Sequence, residues 1–203
     1  MKRVLATIIV GILCLAPLGA VSKWTAVANN LEESIYFLEV LAGTELQGSC
    51  TAFMINQEKK HVLTAAHCDG EKILIDGTPT YRVFKDERKD LMVLRANGVD
   101  GPNVKLAPAD ADRGDEVASM GYGAGLEDPM FRIAHVSNVR MDIEGLSGPF
   151  VMIDAGFVGG QSGGPVVNDK GELVMIVQRG NDSLGIGVGA EVIRDKVGKY
   201  FAK

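Results

Sequence analysis

No aspartate precedes Asp69 and no histidine follows His135 in this 203-residue chain. The three histidines are His61, His67 and His135, so all of them come before Ser162. Cysteine is scarce as well: Cys14, Cys50 and Cys68, with no C-x-x-C pair and no His-x-x-x-His spacing. A zinc set of Cys50, His61, His67 and Cys68 therefore lacks the usual ligand spacing, and no metal is expected. Aromatic residues make up 6% of the chain and tryptophan occurs once, as Trp24. There is no internal repeat and no low-complexity tract, which argues against a solenoid. The longest apolar run, residues 4–18, is too short for an ordinary membrane-spanning helix.

That run follows Lys2 and Arg3 and leads to small residues, the pattern of an export signal. Ala26-Val27-Ala28 fits a cleavage site, so residues 1–28 are expected to be a signal peptide and 29–203 the mature domain. Leu18-Gly19-Ala20 is a second possible site, and an uncleaved anchor is the competing reading. Cys14 follows the bulky Leu13, which argues against a lipoprotein cysteine. Cleavage after Ala28 leaves 18 basic against 26 acidic residues, a net −8. Such a surface argues against nucleic acid or an anionic membrane as partner. The expected location is secreted or periplasmic, with no stable membrane association after signal removal. An oxidising compartment would permit a disulfide.

What the chain has in quantity is glycine, 25 residues, distributed between short apolar segments. Strands are expected at 35–41, 50–56, 61–64, 72–75, 80–84 and 91–94. A second set follows at 116–120, 131–139, 150–153, 165–167, 173–178 and 186–188. Between them, residues 97–115 are rich in Gly, Pro, Asp and Ala and read as a linker. Short strands with turns between them indicate a barrel or sandwich, not a parallel α/β sheet. Residues 190–201 have helical spacing, with Val192, Ile193, Val197, Tyr200 and Phe201 able to share a face.

Three stretches carry chemistry: Thr64-Ala65-Ala66-His67-Cys68, Asp90-Leu91-Met92-Val93-Leu94, and Gly160-Gln161-Ser162-Gly163-Gly164-Pro165. A serine hydroxyl needs a base to take its proton, a carboxylate to orient that base, and donors for the oxyanion. The absences now decide among folds. Gly160-x-Ser162-x-Gly164 also fits the nucleophile elbow of the α/β-hydrolases, but that order needs a histidine after the serine. The subtilisin order needs an aspartate before the histidine, which His61 and His67 lack. The order His-Asp-Ser remains.

On these motifs the chain resembles the trypsin-like serine proteases of the chymotrypsin fold. The stretches Gly171-Glu172-Leu173-Val174 and Gly185-Ile186-Gly187-Val188-Gly189-Ala190 are similar to the bacterial branch with the high-temperature-requirement and glutamyl-endopeptidase-like proteases. The resemblance covers about residues 31–195. It implies an all-β fold of two six-stranded antiparallel β-barrels with a C-terminal helix: first barrel at about 31–98, linker 99–114, second barrel 115–190, helix 190–201. No peptide-binding domain is expected after that helix.

The resemblance further implies roles. His67 is the expected general base, Asp90 the orienting acid in preference to Asp86 and Asp76, and Ser162 the nucleophile. Glycines at 160, 163 and 164 permit backbone angles that converge the Gly160 and Ser162 N–H groups into an oxyanion hole. A disulfide is expected between Cys50 and Cys68. A polypeptide substrate would add as an antiparallel strand along Val177, Gln178, Arg179 and Gly180. The pocket for the residue before the scissile bond (P1) is expected between 155–160, that edge and 187–190, including Gly156, Gly187 and Gly189. Gly156 stands where trypsin-like members place an aspartate, so a small or medium apolar P1 residue is expected, with an acidic one as the alternative if Arg179 reaches it. No cofactor is expected, and oligomeric state is left open. Gln161 replaces the aspartate that pairs with a new N-terminus in digestive relatives, so that activation switch is not expected. Two other functions compete with a peptidase: a silent relative that binds peptides, and an esterase.

Overall fold

The computed structural model describes residues 22–144 and 146–203. The apolar run 4–18, Cys14 and the Leu18-Gly19-Ala20 site lie outside the described residues. The first element among the described residues is a helix, α1 (Lys23–Glu32), begun by Ser22, whose hydroxyl accepts from the Trp24 N–H. It buries Trp24, Val27 and Leu31, one helical face at three- and four-residue spacing. This helix runs through the expected cleavage position after Ala28.

Seven strands follow: β1 (Ile35–Ala42), β2 (Glu45–Asn56), β3 (His61–Thr64), β4 (Lys72–Ile75), β5 (Thr78–Pro79), β6 (Tyr81–Asp86) and β7 (Leu91–Arg95). They form one sheet in the order β5-β4-β1-β2-β3-β7-β6. This lobe is a curled, open sheet of seven strands, where six in a closed barrel were expected. The additional strand is the two-residue β5, paired with β4 beyond the Asp76-Gly77 turn. Leu38, Ala52, Met54, Val62, Met92 and Leu94 fill its interior.

The second lobe comprises β8 (Glu116–Gly121), β9 (Met130–Met141), β10 (Phe150–Ile153), β11 (Pro165–Val167), β12 (Leu173–Gly180) and β13 (Gly185–Gly189). These six close into a barrel in the order β10-β13-β12-β11-β8-β9, all neighbours antiparallel. Closure leaves no unpaired barrel edge along most of each strand. The chain then forms α2 (Ala190–Val197), which buries Ala190, Ile193 and Val197 and ends in a 3₁₀ turn over Gly198–Tyr200. The all-β, two-lobed architecture with a C-terminal helix is therefore as expected. No helix among the described residues is long and apolar enough to cross a membrane.

The two lobes share a core. Phe53, Ile55, Leu63, Leu91 and Val93 of the first pack in one cluster with Ala118, Val167, Leu173 and Ile176 of the second. Helix α1 joins that cluster and is tied to β8: Trp24 Nε1 donates to Glu116, and Lys23 Nζ lies 3.2 Å from the same carboxylate.

Candidate active site

The site lies where the lobes meet. His67 stands on a 3₁₀ turn, Ala66–Cys68, directly after β3. Cys68 is bonded to Cys50 of β2, with Cα atoms 6.2 Å apart, so the histidine turn is stapled to the neighbouring strand. This is the expected pairing. It also consumes both sulfurs, so the cluster of Cys50, His67 and Cys68 has no thiolate to offer a metal, and His61 is not part of that cluster. The next residue, Asp69, forms an ion pair with Lys85 at 3.0 Å and another with Arg82. Burial raises the Asp69 pKa, but these two cations outweigh it and the net shift is downward.

Asp90 ends the turn between β6 and β7. Its carboxylate accepts twice from His67, through Oδ2 from Nδ1 at 2.8 Å and through Oδ1 from the backbone N–H at 2.8 Å. Two-point attachment fixes the imidazole plane and directs Nε2 away from the acid. Asp90 has φ of 51°, the left-handed region that non-glycine residues enter at a cost of about 1 kcal/mol. Asp86 instead caps its own turn, accepting from the Arg88 and Lys89 N–H groups.

Ser162 sits in the turn that leads into β11. Residues 158–161 form a β-turn closed by the Gln161 N–H on Val158 O at 3.2 Å. Gly160, third in the turn, has φ of 100°, an angle that favours glycine. The Gln161 side chain folds back and accepts the Val158 N–H through Oε1 at 3.0 Å. It is 1% exposed, and its Nε2 has no partner among the described residues.

Every carbonyl along this segment has a donor. Val158 O takes the Gln161 N–H, Gly159 O the Ala124 N–H at 2.9 Å, and Gly160 O the Thr51 hydroxyl at 2.9 Å. Gln161 O takes the Gly164 N–H at 3.0 Å, and Ser162 O the Thr51 N–H at 2.8 Å. The peptide planes are thereby fixed one by one, while the Gly160 and Ser162 N–H groups have no partner among the described residues. At Gly163 the lobes approach closely: a Cβ there would lie 2.2 Å from Thr64 Oγ1 and 2.3 Å from Thr51 O. Cys68 Sγ lies 3.9 Å from Ser162 O, so the serine segment and the histidine turn are in contact. Among the described residues no hydrogen bond joins Ser162 Oγ to His67, a looseness common in unliganded sites.

A family profile, the trypsin-like peptidase domain, matches residues 50–176, more than half of the chain. The chain belongs to the trypsin-like peptidase family. The match begins at Cys50 and takes in all three motifs. The periplasmic pH-dependent serine endoprotease DegQ of Escherichia coli (strain K12) is 29% identical over 159 residues, which is 70% of this chain and 34% of DegQ. The chain thus spans about a third of that relative. Among solved structures, the active form of the Rv3671c protease from M. tuberculosis is similar with a TM-score of 0.73 and 21% identity, over 87% of this chain and 85% of that one. The HtrA-type protease AlgW, solved with a tripeptide, gives 0.75 and 21%, over 85% of this chain and 61% of AlgW. These likenesses agree with the trypsin-like protease fold.

Of the residues expected along a substrate edge, Gln178 and Arg179 line a groove of about 460 Å³ with Ala66, His67, Asp90, Lys85 and Glu87. Gln178 occupies a bulge, because β12 slips in register against β13 between Val177 and Arg179. Gly180 pairs with Gly185, and the Phe157 ring lies across both: a Cβ on Gly185 would sit 2.0 Å from Phe157 Cε2. Gly156 is covered by the backbone of Asp182. Gly187 pairs with Val177 and is closed over by Ile176 O, and Gly189 faces Asp110 of the linker, so the structure does not bring these two to the groove.

His61 packs against Tyr200, and its burial lowers its pKa. His135 lies on the outside of the second lobe between Asp154 and Glu116, at 3.5 and 4.0 Å. Neither joins the groove. Sequence reasoning missed Thr51 and the direction of the Gln178 side chain; it placed 155–160 at the pocket but not the Phe157 ring against Gly180 and Gly185. The single polar Thr51 within the apolar run 50–55 was the available signal for the first.

Proposed function

We propose that this protein is an exported serine endopeptidase that cleaves polypeptides through an acyl-enzyme on Ser162. His67 is the base, Asp90 orients it, and the Gly160 and Ser162 N–H groups form the oxyanion hole. The observation that carries this reading is the double attachment of His67 to Asp90 beside a serine turn whose carbonyls are all occupied. The Gly160 and Ser162 N–H groups, without partners among the described residues, are left for a developing negative charge.

In this mechanism Ser162 Oγ attacks the scissile carbonyl carbon as its proton passes to His67 Nε2. The carbonyl oxygen becomes an oxyanion held by the two N–H groups. The C–N bond then breaks, His67 returns the proton to the departing amine, and an ester to Ser162 remains. Water repeats the sequence, with His67 again taking and giving the proton, and releases a carboxylic acid and free Ser162. Preorganised donors stabilise such oxyanions by about 3 kcal/mol each. The substrate strand would lie along Val177 to Gly180.

The P1 residue would lie beside residues 156–160 and the Gly180–Gly185 pair. Phe157 lies across that pair, which supports a small apolar P1 residue. Arg179 lines the groove with His67, and the acidic-P1 alternative finds less support for that reason. Periplasmic location is inferred from the signal-like N-terminus and from periplasmic DegQ.

The test is labelling with a fluorophosphonate probe beside hydrolysis of a peptide library. Wild type is expected to label and to cleave peptides, and Ser162→Ala to do neither while retaining its fold. A folded wild type that does not label would overturn the reading in favour of a silent peptide-binding relative. Labelling with hydrolysis of esters alone would point to an esterase.

A further inference from the structure

We infer that Thr51 is the positioning residue for the oxyanion hole, and that its hydroxyl, contributed by the first lobe, holds the donors of the second in place. This rests on the peptidase reading of Ser162 above.

Thr51 lies in β2, is fully buried, and is one of few buried polar residues outside the catalytic set. Its Oγ1 is used in both directions. It donates to Gly160 O at 2.9 Å and accepts from the Tyr122 N–H at 2.9 Å. Its carbonyl accepts from Thr64 Oγ1 at 2.8 Å, three residues before His67. One side chain thus touches the serine turn and the Tyr122–Ala124 segment, and its backbone touches the strand that delivers the base.

One bond of the hydroxyl acts on the serine turn directly, and the other acts through the Tyr122–Ala124 segment that supports it. Gly160 C=O and Gln161 N–H belong to one peptide, and that N–H closes the turn on Val158 O. Holding the carbonyl keeps the turn closed. The Gly160 N–H belongs to the preceding peptide, whose Gly159 carbonyl is held by the Ala124 N–H. The Tyr122 N–H bond anchors the segment that presents Ala124. A peptide unit is planar, so fixing its carbonyl fixes its N–H on the opposite side. Loss of the hydroxyl would leave the buried Gly160 C=O and the part-buried Tyr122 N–H without this partner, and the turn could relieve the Gly160 C=O by rotating its peptides. The Thr51 N–H bond to Ser162 O would survive any side-chain change.

Thr51→Val keeps the shape of the side chain and removes the hydroxyl; Thr51→Ser keeps the hydroxyl. The purified full-length protein is treated with the fluorophosphonate probe, whose phosphoryl oxygen occupies the oxyanion position, and the inactivation constants are separated. Thr51→Val is expected to lower the maximal rate of inactivation about 10- to 100-fold with the half-saturating probe concentration unchanged. Thr51→Ser is expected to restore most of that rate. Wild-type rates in Thr51→Val, a Ser variant no better than Val, or a loss confined to half-saturation would each overturn the assignment. If Thr51→Val does not fold, Thr51→Ala removes the hydroxyl without crowding and is read the same way. Failure of both to fold would make the role purely structural and overturn it. An unlabelled wild type would instead overturn the peptidase reading itself.

Discussion

Gln178 of the second lobe donates through Nε2 to the backbone carbonyl of Asp90 in the first, at 3.1 Å. The same nitrogen is 2.6 Å from Lys89 O, and the residue is 3% exposed. The bulge in β12 turns this amide toward the other lobe. Lys89 Nζ reciprocates by donating to Ser147 O and Gly148 O. Asp90 needs such support, since its backbone sits in the left-handed region.

The consequence concerns rate more than binding. Gln178→Met keeps the length and loses both donors, so Asp90 gains freedom while the groove keeps its shape. About a tenfold loss of kcat with KM unchanged is expected, the size of a small misplacement of a catalytic group. Steady-state kinetics on a peptide p-nitroanilide checks it. A rise in KM alone would mean that Gln178 serves only the substrate edge.

Phe157 sets a second expectation. Its ring lies on the glycine pair at 180 and 185, where longer side chains would collide with it. If this ring forms the floor of the P1 pocket, Phe157→Ala deepens the pocket. Activity is expected to shift from Ala or Val at P1 toward Leu or Phe by about 10- to 100-fold in relative kcat/KM. Profiling both proteins with one peptide library measures the shift. An unchanged profile would move the P1 pocket elsewhere.

Much of this site was legible because its chemistry is local in sequence. His67 with Cys68, Asp90 ahead of an apolar strand, and Ser162 among glycines each announce themselves within six residues. Strands were legible for the same reason, as short apolar runs between turns. Thr51, the direction of the Gln178 side chain and the ring contact of Phe157 were not, because they depend on contacts across 109, 88 and 28 residues of chain respectively, although Gln178 and 155–160 were expected near the substrate. The extra strand β5 was illegible because, at two residues, it is too short to show a pattern. Helix α1 was hidden differently. Trp24, Val27 and Leu31 have helical spacing, but the signal-like run before them drew residues 23–28 into the expected leader.

That helix leads to a prediction about processing. Trp24 is 6% exposed and bonded to Glu116, so a chain cut after Ala28 would lose a packed core residue. Cleavage after Ala20 keeps the whole helix, and mass spectrometry of the exported protein is expected to find a mature start before Ser22. Trp24→Ala is expected to cost about 3 kcal/mol in urea unfolding, typical of a large buried aromatic. A start at Asn29 with undiminished stability would show that α1 is dispensable.

Tyr36 supplies a pH dependence. Its hydroxyl is buried with no partner among the described residues. Burial first, then the nearby Asp76 and Asp100 carboxylates, push its pKa up from 10.0 to about 12. The folded state therefore holds this proton more tightly than the unfolded chain does. The associated stability is fully present below pH 10 and is lost as pH rises toward 12. Tyr36→Phe has no proton to lose, so its unfolding free energy is expected to fall less steeply than that of wild type between pH 10 and 12. At neutral pH the two are expected to be close, because the variant removes an unsatisfied group rather than a hydrogen bond. Urea denaturation of both proteins at neutral and alkaline pH decides it. Parallel curves would mean that the hydroxyl finds water in solution, and that the alkaline sensitivity belongs to other groups.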